Sequence, residues 1–79
     1  MITIKLEEEL GSYLGTKIII QKVFAKIHPD TDKVVMDFNN IDIITRICAK
    51  EYLKQKNRIN IPTVEINQSS EIVNVFNKL

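Results

Sequence analysis

Apolar residues occupy every second position at the start of the chain. Ile2, Ile4 and Leu6 alternate with polar neighbours, the period of a strand with one buried face. Gly11 through Gly15 interrupts the pattern, and the period then changes. Ile20, Val23, Phe24 and Ile27 recur at helical spacing on one face, with Lys17, Gln21, Lys22 and Lys26 elsewhere. Thr16 offers its hydroxyl as an N-cap, and Ile18 and Ile19 are expected to widen the buried surface. His28-Pro29-Asp30 ends this helix, because the residue before a proline is pushed out of the helical region.

Val34, Val35, Met36 and Phe38 form an apolar run interrupted by Asp37, which predicts a central strand covered on both faces. Asn39-Asn40 reads as a turn, and Ile41, Ile43 and Ile44 lead to Thr45, the next N-cap. Cys48, Ala49, Tyr52 and Leu53 make the apolar face of a second helix, closed by Lys56-Asn57-Arg58. Pro62 opens a third strand with Val64 and Ile66 on one face. Ser69 or Ser70 caps a last helix that turns Ile72, Val73, Phe76 and Leu79 inward. The predicted fold is α/β, in β-α-β-α-β-α order. Its sheet is small, three- to four-stranded and mainly parallel, with right-handed crossovers.

Seventy-nine residues make a single domain, 1–79, whose thin core invites support from a disulfide, a metal or another chain. Cys48 is the only cysteine and His28 the only histidine, so neither a disulfide nor a zinc site at recognised spacing is expected. No cofactor is implied. Association with a further chain, including a homodimer, is the remaining expectation. Apolar residues at 44% and charged residues at 27% fit a folded chain. The longest purely apolar run, Ile18-Ile19-Ile20, is far short of a membrane span, and the start of the chain lacks the pattern of a signal peptide. With one unpaired cysteine, the expectation is a cytoplasmic protein without a membrane partner.

The net charge of +1 is unevenly spread. Glu7, Glu8 and Glu9 crowd the first strand's end, and Asp30, Asp32, Asp37 and Asp42 the middle. Arg46, Lys50 and Lys54 fall at i, i+4 and i+8 on the second helix, a basic stripe that Lys56 and Arg58 extend. Like charges at that spacing cost a helix roughly 0.2–0.5 kcal/mol per pair, which an acidic partner would offset. A solvated face is the plainer explanation. Nucleic acid is less favoured, because the pI is about 7.8 and Phe24, Phe38 and Phe76 sit on expected core faces.

The stretch Val34-Val35-Met36-Asp37-Phe38-Asn39-Asn40-Ile41, with Ile44-Thr45-Arg46-Ile47-Cys48-Ala49-Lys50-Glu51 after it, resembles the STAS-like domains of unknown function. These are relatives of the anti-sigma-factor antagonists. Their pattern, hydrophobic-Leu-Asp-Phe-x-x-Val and then Thr/Ser-x-Ser-Phe-Ala-Asp-Glu, is matched at Asp37, Phe38, Ile41, Thr45, Ala49 and Glu51. Thr16-Lys17 falls where those domains begin a helix with Ser-Arg, so the resemblance covers about residues 16–79. The family's serine falls on Ile47, its phenylalanine on Cys48 and its first acid on Lys50. In the antagonists, a serine at this helix start takes phosphate from a kinase partner. The resemblance therefore implies a regulatory interaction domain, here without that switch, and an ATP-hydrolysing kinase-like protein as the partner class.

Asp37 has no companion set for a phospho-accepting aspartate, so it reads as a strand-end carboxylate accepting N–H bonds from the next turn. Cys48 reads as a small buried hydrophobe, and His28 as a helix-end group near the last carbonyls. No acid, base and nucleophile set is apparent, and an enzyme is not expected. The expected contact surface joins Asn39, Asn40 and Asp42 to Thr45, Arg46, Lys50 and Lys54. A small nucleic-acid-associated protein using helix 46–58 is the alternative.

Overall fold

The computed structural model describes residues 1–79. Its elements, in chain order, are β1 (Ile2–Lys5), α1 (Leu6–Leu10), β2 (Tyr13–Leu14), α2 (Lys17–Ala25), β3 (Val34–Asp37), β4 (Ile43–Ile44), α3 (Arg46–Ile59), β5 (Thr63–Ile66) and α4 (Ser70–Asn77). The main sheet has the order β1-β3-β5 and is wholly parallel. A second sheet pairs β2 with β4, also in parallel. The chain is thus α/β with a small parallel sheet. Its element order exceeds the six expected because α1, β2 and β4 are interposed.

Each extra element has a local cause. Leu6 does not extend the strand. It starts a single turn, where Glu7, Glu8 and Glu9 favour the positive end of a helix, and Gly11 stops that turn at φ 81° with its N–H on the Glu7 carbonyl. The β2–β4 bridge lies in the segments expected to be irregular. Its two residues per strand carry no periodic signal of their own.

The register fixes which side chains share a face. Val34, Met36, Ile4, Thr63 and Glu65 point one way, and Thr3, Val35, Val64, Asp37 and Ile66 the other. Val34 and Met36 are completely buried, whereas Val64 and Ile66 are exposed. The expectation of a strand covered on both faces is therefore corrected: only one face is covered. Strands added consecutively in one direction, with right-handed crossovers, put α2 and α3 on the same side. Val64 and Ile66 share a face as expected, but it is the bare one.

Fifteen buried apolar residues form one core between this sheet face and α2, α3 and α4. Tyr52 lies at its centre. Its ring meets Phe24, Phe38 and Phe76 edge-on, at centroid distances of 5.4, 5.7 and 5.5 Å. The Tyr52 hydroxyl donates to Glu65 at 2.7 Å, and Lys56 binds the same carboxylate at 2.9 and 3.1 Å. On α3, Leu53 is displaced from the expected apolar face. Glu51 and Gln55 take the buried positions, because Gln55 and Gln21 donate to the Glu51 carboxylate at 2.7 and 3.4 Å. Val73 and Leu79, expected inward, are exposed, and Ile72 alone of α4 is fully buried. Ser69 is the cap of α4, accepting the Ile72 N–H at 3.2 Å.

Tyr52→Ala removes the ring on which three others pack and is expected to cost about 3–5 kcal/mol. Tyr52→Phe keeps the rings and loses one bond to a charged acceptor, costing about 1.5–3 kcal/mol. Urea denaturation of both variants checks the ranking; equal losses would contradict it.

Candidate functional site

Two strand–helix junctions lie side by side, and they repeat one pattern. In the first, Tyr13 is exposed, Leu14 buried, Thr16 precedes the helix, and Lys17 and Ile18 are exposed. In the second, Ile43 is exposed, Ile44 buried, Thr45 precedes the helix, and Arg46 and Ile47 are exposed. The parallel register places Tyr13 beside Ile43 and Leu14 beside Ile44. Alternation across the bridge sends one pair into the core and the other into solvent.

Three bonds lock the junctions together. The Thr45 N–H donates to the Leu14 carbonyl at 2.9 Å, the Thr45 hydroxyl to the Gly15 carbonyl at 3.0 Å, and the Cys48 thiol to the Thr16 carbonyl at 3.4 Å. The Thr45 hydroxyl also accepts the Cys48 N–H at 3.2 Å, which makes it the N-cap expected from the sequence. Thr16 stands at the equivalent place on α2, but its hydroxyl makes no capping bond. The Tyr13 ring lies against Gly15, where a Cβ would collide with it. Tyr13 is thereby held beside the start of α2.

The outcome is an exposed apolar surface. Tyr13, Ile18, Ile43 and Ile47 are 59%, 57%, 50% and 58% exposed. Each is a large side chain at one of the two paired junctions, and exposed apolar groups gathered in this way mark interaction sites. Lys17, Arg46, Lys50 and Lys54 are exposed around it and in no ion pair.

The expected contact residues divide into three places. Arg46, Lys50 and Lys54 form the exposed stripe on α3. Thr45 is half-buried at the junction. Asn39 and Asn40 line a polar recess of about 200 Å³ with Lys5, Glu7, Glu8 and Asp37 at the sheet's carboxyl end. Asp42 stays with the bridge, its N–H on the Ser12 carbonyl at 2.9 Å. The sequence reading missed Tyr13, Ile18 and Ile43. The repeated order of apolar, aliphatic, Thr, cation and Ile, with Gly15 inserted in the first copy, was the available signal.

The titratable groups here serve structure. Asp37 accepts from the Asn67 side chain and the Asn39 N–H, both at 2.9 Å, and these bonds, with Lys5 nearby, hold its carboxyl below the usual range. Glu51 is likewise held low, first by the Gln55 bond and then by Gln21, Lys54 and Lys17, against the effect of burial. Burial pushes the Cys48 thiol up to about 11, and the Glu51 carboxylate adds to this. His28 departs from expectation: its Nδ1 accepts the Asp30 N–H at 3.1 Å instead of meeting the helix carbonyls. A second recess of about 210 Å³ lies between α3, β5 and α4, but the Glu65 carboxylate in its wall is already engaged by Tyr52 and Lys56. It is smaller than the roughly 300–1,000 Å³ of ordinary ligand sites. No helix is long and apolar enough to cross a membrane.

No protein-family model, curated protein or solved structure matches this chain.

Thr45→Ala removes the cap and the bond to Gly15, and is expected to cost about 1–2 kcal/mol, read from urea denaturation. Thr45→Ser should recover most of that loss. For Cys48, the raised folded pKa favours the neutral thiol, so its contribution is complete below the ordinary value of 9.0 and lost as pH rises towards 11. The difference in stability between the wild type and Cys48→Ala should therefore shrink across that window. A thiol reagent should modify native Cys48 far more slowly than the unfolded chain; equal rates would contradict its burial.

Proposed function

We propose that this chain is a regulatory protein-interaction domain of the STAS-like kind, acting by binding and not by catalysis. The observation that carries this reading is the cation-rimmed apolar surface at the paired junctions. Four large apolar side chains stay in solvent there although the neighbouring positions, Leu14, Ile44 and Cys48, are completely or almost completely buried. Leaving such area exposed forgoes about 25 cal/mol per Å², which a bound partner would recover.

The resemblance at Asp37-Phe38 and at Thr45 through Glu51 supports the same surface, since α3 is the helix on which the antagonists carry their switch. In this chain Ile47 occupies the serine's position and is itself part of the apolar surface. Its contribution would be contact area, and shape and charge would set affinity without phosphate transfer. Arg46, Lys50 and Lys54 then form a polar rim that speeds and orients docking. An acidic surface on an ATP-hydrolysing kinase-like protein, in the cytoplasm, fits that rim. Asn39, Asn40 and Asp42 would lie at the edge of the contact.

A photo-crosslinking side chain at Ile47, introduced in the cells from which the protein comes, should give one protein adduct of defined mass. The same group at His28, exposed beyond the far end of α2, should not. Equal adducts at both positions, or a nucleic-acid adduct at position 47, would overturn the proposal. If the partner is nucleic acid, log affinity falls with log salt at about −0.9 per phosphate neutralised.

A further inference from the structure

We infer that the junction surface is self-complementary and that two copies of this chain bind each other through it about a twofold axis. The inference rests on the reading of this surface as an interaction site, and names a second copy as an occupant that covers it. β2 and β4 run in parallel, so whatever precedes them in sequence lies at one end of the bridge and whatever follows lies at the other.

The two ends carry opposite charge. Before the strands come Glu8 on α1 and Asp42 at the start of β4, with Glu8 sharing a recess with Asn40, two residues ahead of Asp42. After them come Lys17, Arg46 and Lys50 on the first turns of α2 and α3. All five side chains are exposed, and none is in an ion pair. Antiparallel strands would have mixed the two signs at each end. The parallel bridge separates them, with Tyr13 and Ile43 between.

A surface that is acidic at one end, apolar in the middle and basic at the other matches a copy of itself turned through a half rotation. The apolar centres then meet, and each acidic end faces the partner's basic end twice by symmetry. Lys17, Arg46 and Lys50 on one side and Glu8 and Asp42 on the other, none of them in an ion pair within the chain, would acquire partners across the interface. A chain of 79 residues with a one-sided sheet also has the thin core that a second copy commonly supports. Because this contact covers Ile47, self-association would compete with any other protein for the same surface, making the dimer a closed form of the domain.

Sedimentation velocity on three proteins tests the inference: the wild type, an acid-reversed variant (Glu8→Lys with Asp42→Lys) and a base-reversed variant (Arg46→Glu with Lys50→Glu). All substituted residues are exposed, and circular dichroism would confirm that each variant is folded. The wild type should sediment as a dimer at high concentration and dissociate on dilution or in strong salt. Each variant alone should associate on the order of a hundredfold more weakly, through like-charge repulsion. An equimolar mixture of the two should recover the dimer, because one copy is then basic at both ends and the other acidic at both. A wild type that stays monomeric up to millimolar concentration overturns the inference. So do variants that dimerise as well as the wild type, or a mixture that fails to recover. The crosslinker at Ile47 separates this outcome from the partner reading: an adduct of twice the chain mass reports a second copy, and any other protein mass reports a different partner.

Discussion

The pairing of two distant strand–helix junctions is the constraint on which the remaining structure depends. Leu14, Gly15 and Thr16 present carbonyls to Thr45 and Cys48, and the three resulting bonds span about thirty positions of sequence. Each such bond contributes only about 1 kcal/mol net. Together they fix the register between α2 and α3, and that register decides which residues can be buried. Ile20, Val23 and Phe24 then face Cys48, Ala49 and Tyr52 across a common core. Ile18 and Ile47, on the first turn of each helix but on the side turned from that core, stay in solvent. The apolar surface is thus a consequence of the same bonds that hold the helices together.

Sheet topology explains why the domain has apolar area to spare. Consecutive parallel strands place both crossover helices on one side, and the opposite face keeps Val35, Val64 and Ile66 without a covering layer. Two exposed regions therefore compete as contact surfaces. They differ in electrostatics. On the bare sheet face, Asp37 already has Asn39, Asn67 and the nearby Lys5 as partners. At the junctions, Lys17, Arg46, Lys50 and Asp42 are exposed and in no ion pair or side-chain hydrogen bond within the chain. A surface with unpaired charges of both signs around an apolar centre has more to gain from contact, which is why the junctions carry the functional proposal.

Much of the architecture was legible from periodicity. Residues 17–25, 34–37, 46–59, 63–66 and 70–77 take the forms their spacing predicts, and Thr45 and Asp37 make the local bonds expected of them. What stayed hidden depends on long-range geometry. A two-residue strand such as Tyr13–Leu14 has no period, and becomes a strand only through Ile43–Ile44. Apolar spacing marked Ile18, Leu53 and Val73 for burial, but helix packing chose their neighbours. Glu51 displaced Leu53 because Gln21 and Gln55 could satisfy its carboxylate, a fact no pattern of apolar residues encodes. The basic stripe at Arg46, Lys50 and Lys54 was readable as a surface feature. Its apolar companions at Tyr13 and Ile43 were not.

The most direct measurement is paramagnetic broadening of methyl and ring signals by a soluble nitroxide, recorded on the dilute chain and again under conditions of association. In the dilute chain, Tyr13, Ile18, Ile43 and Ile47 should broaden together, as should Val64 and Ile66. On association, the first four should be shielded while Val64 and Ile66 remain accessible. Shielding at Val64 and Ile66 with the junction residues still broadened would contradict the account and move the contact to the bare face of the sheet.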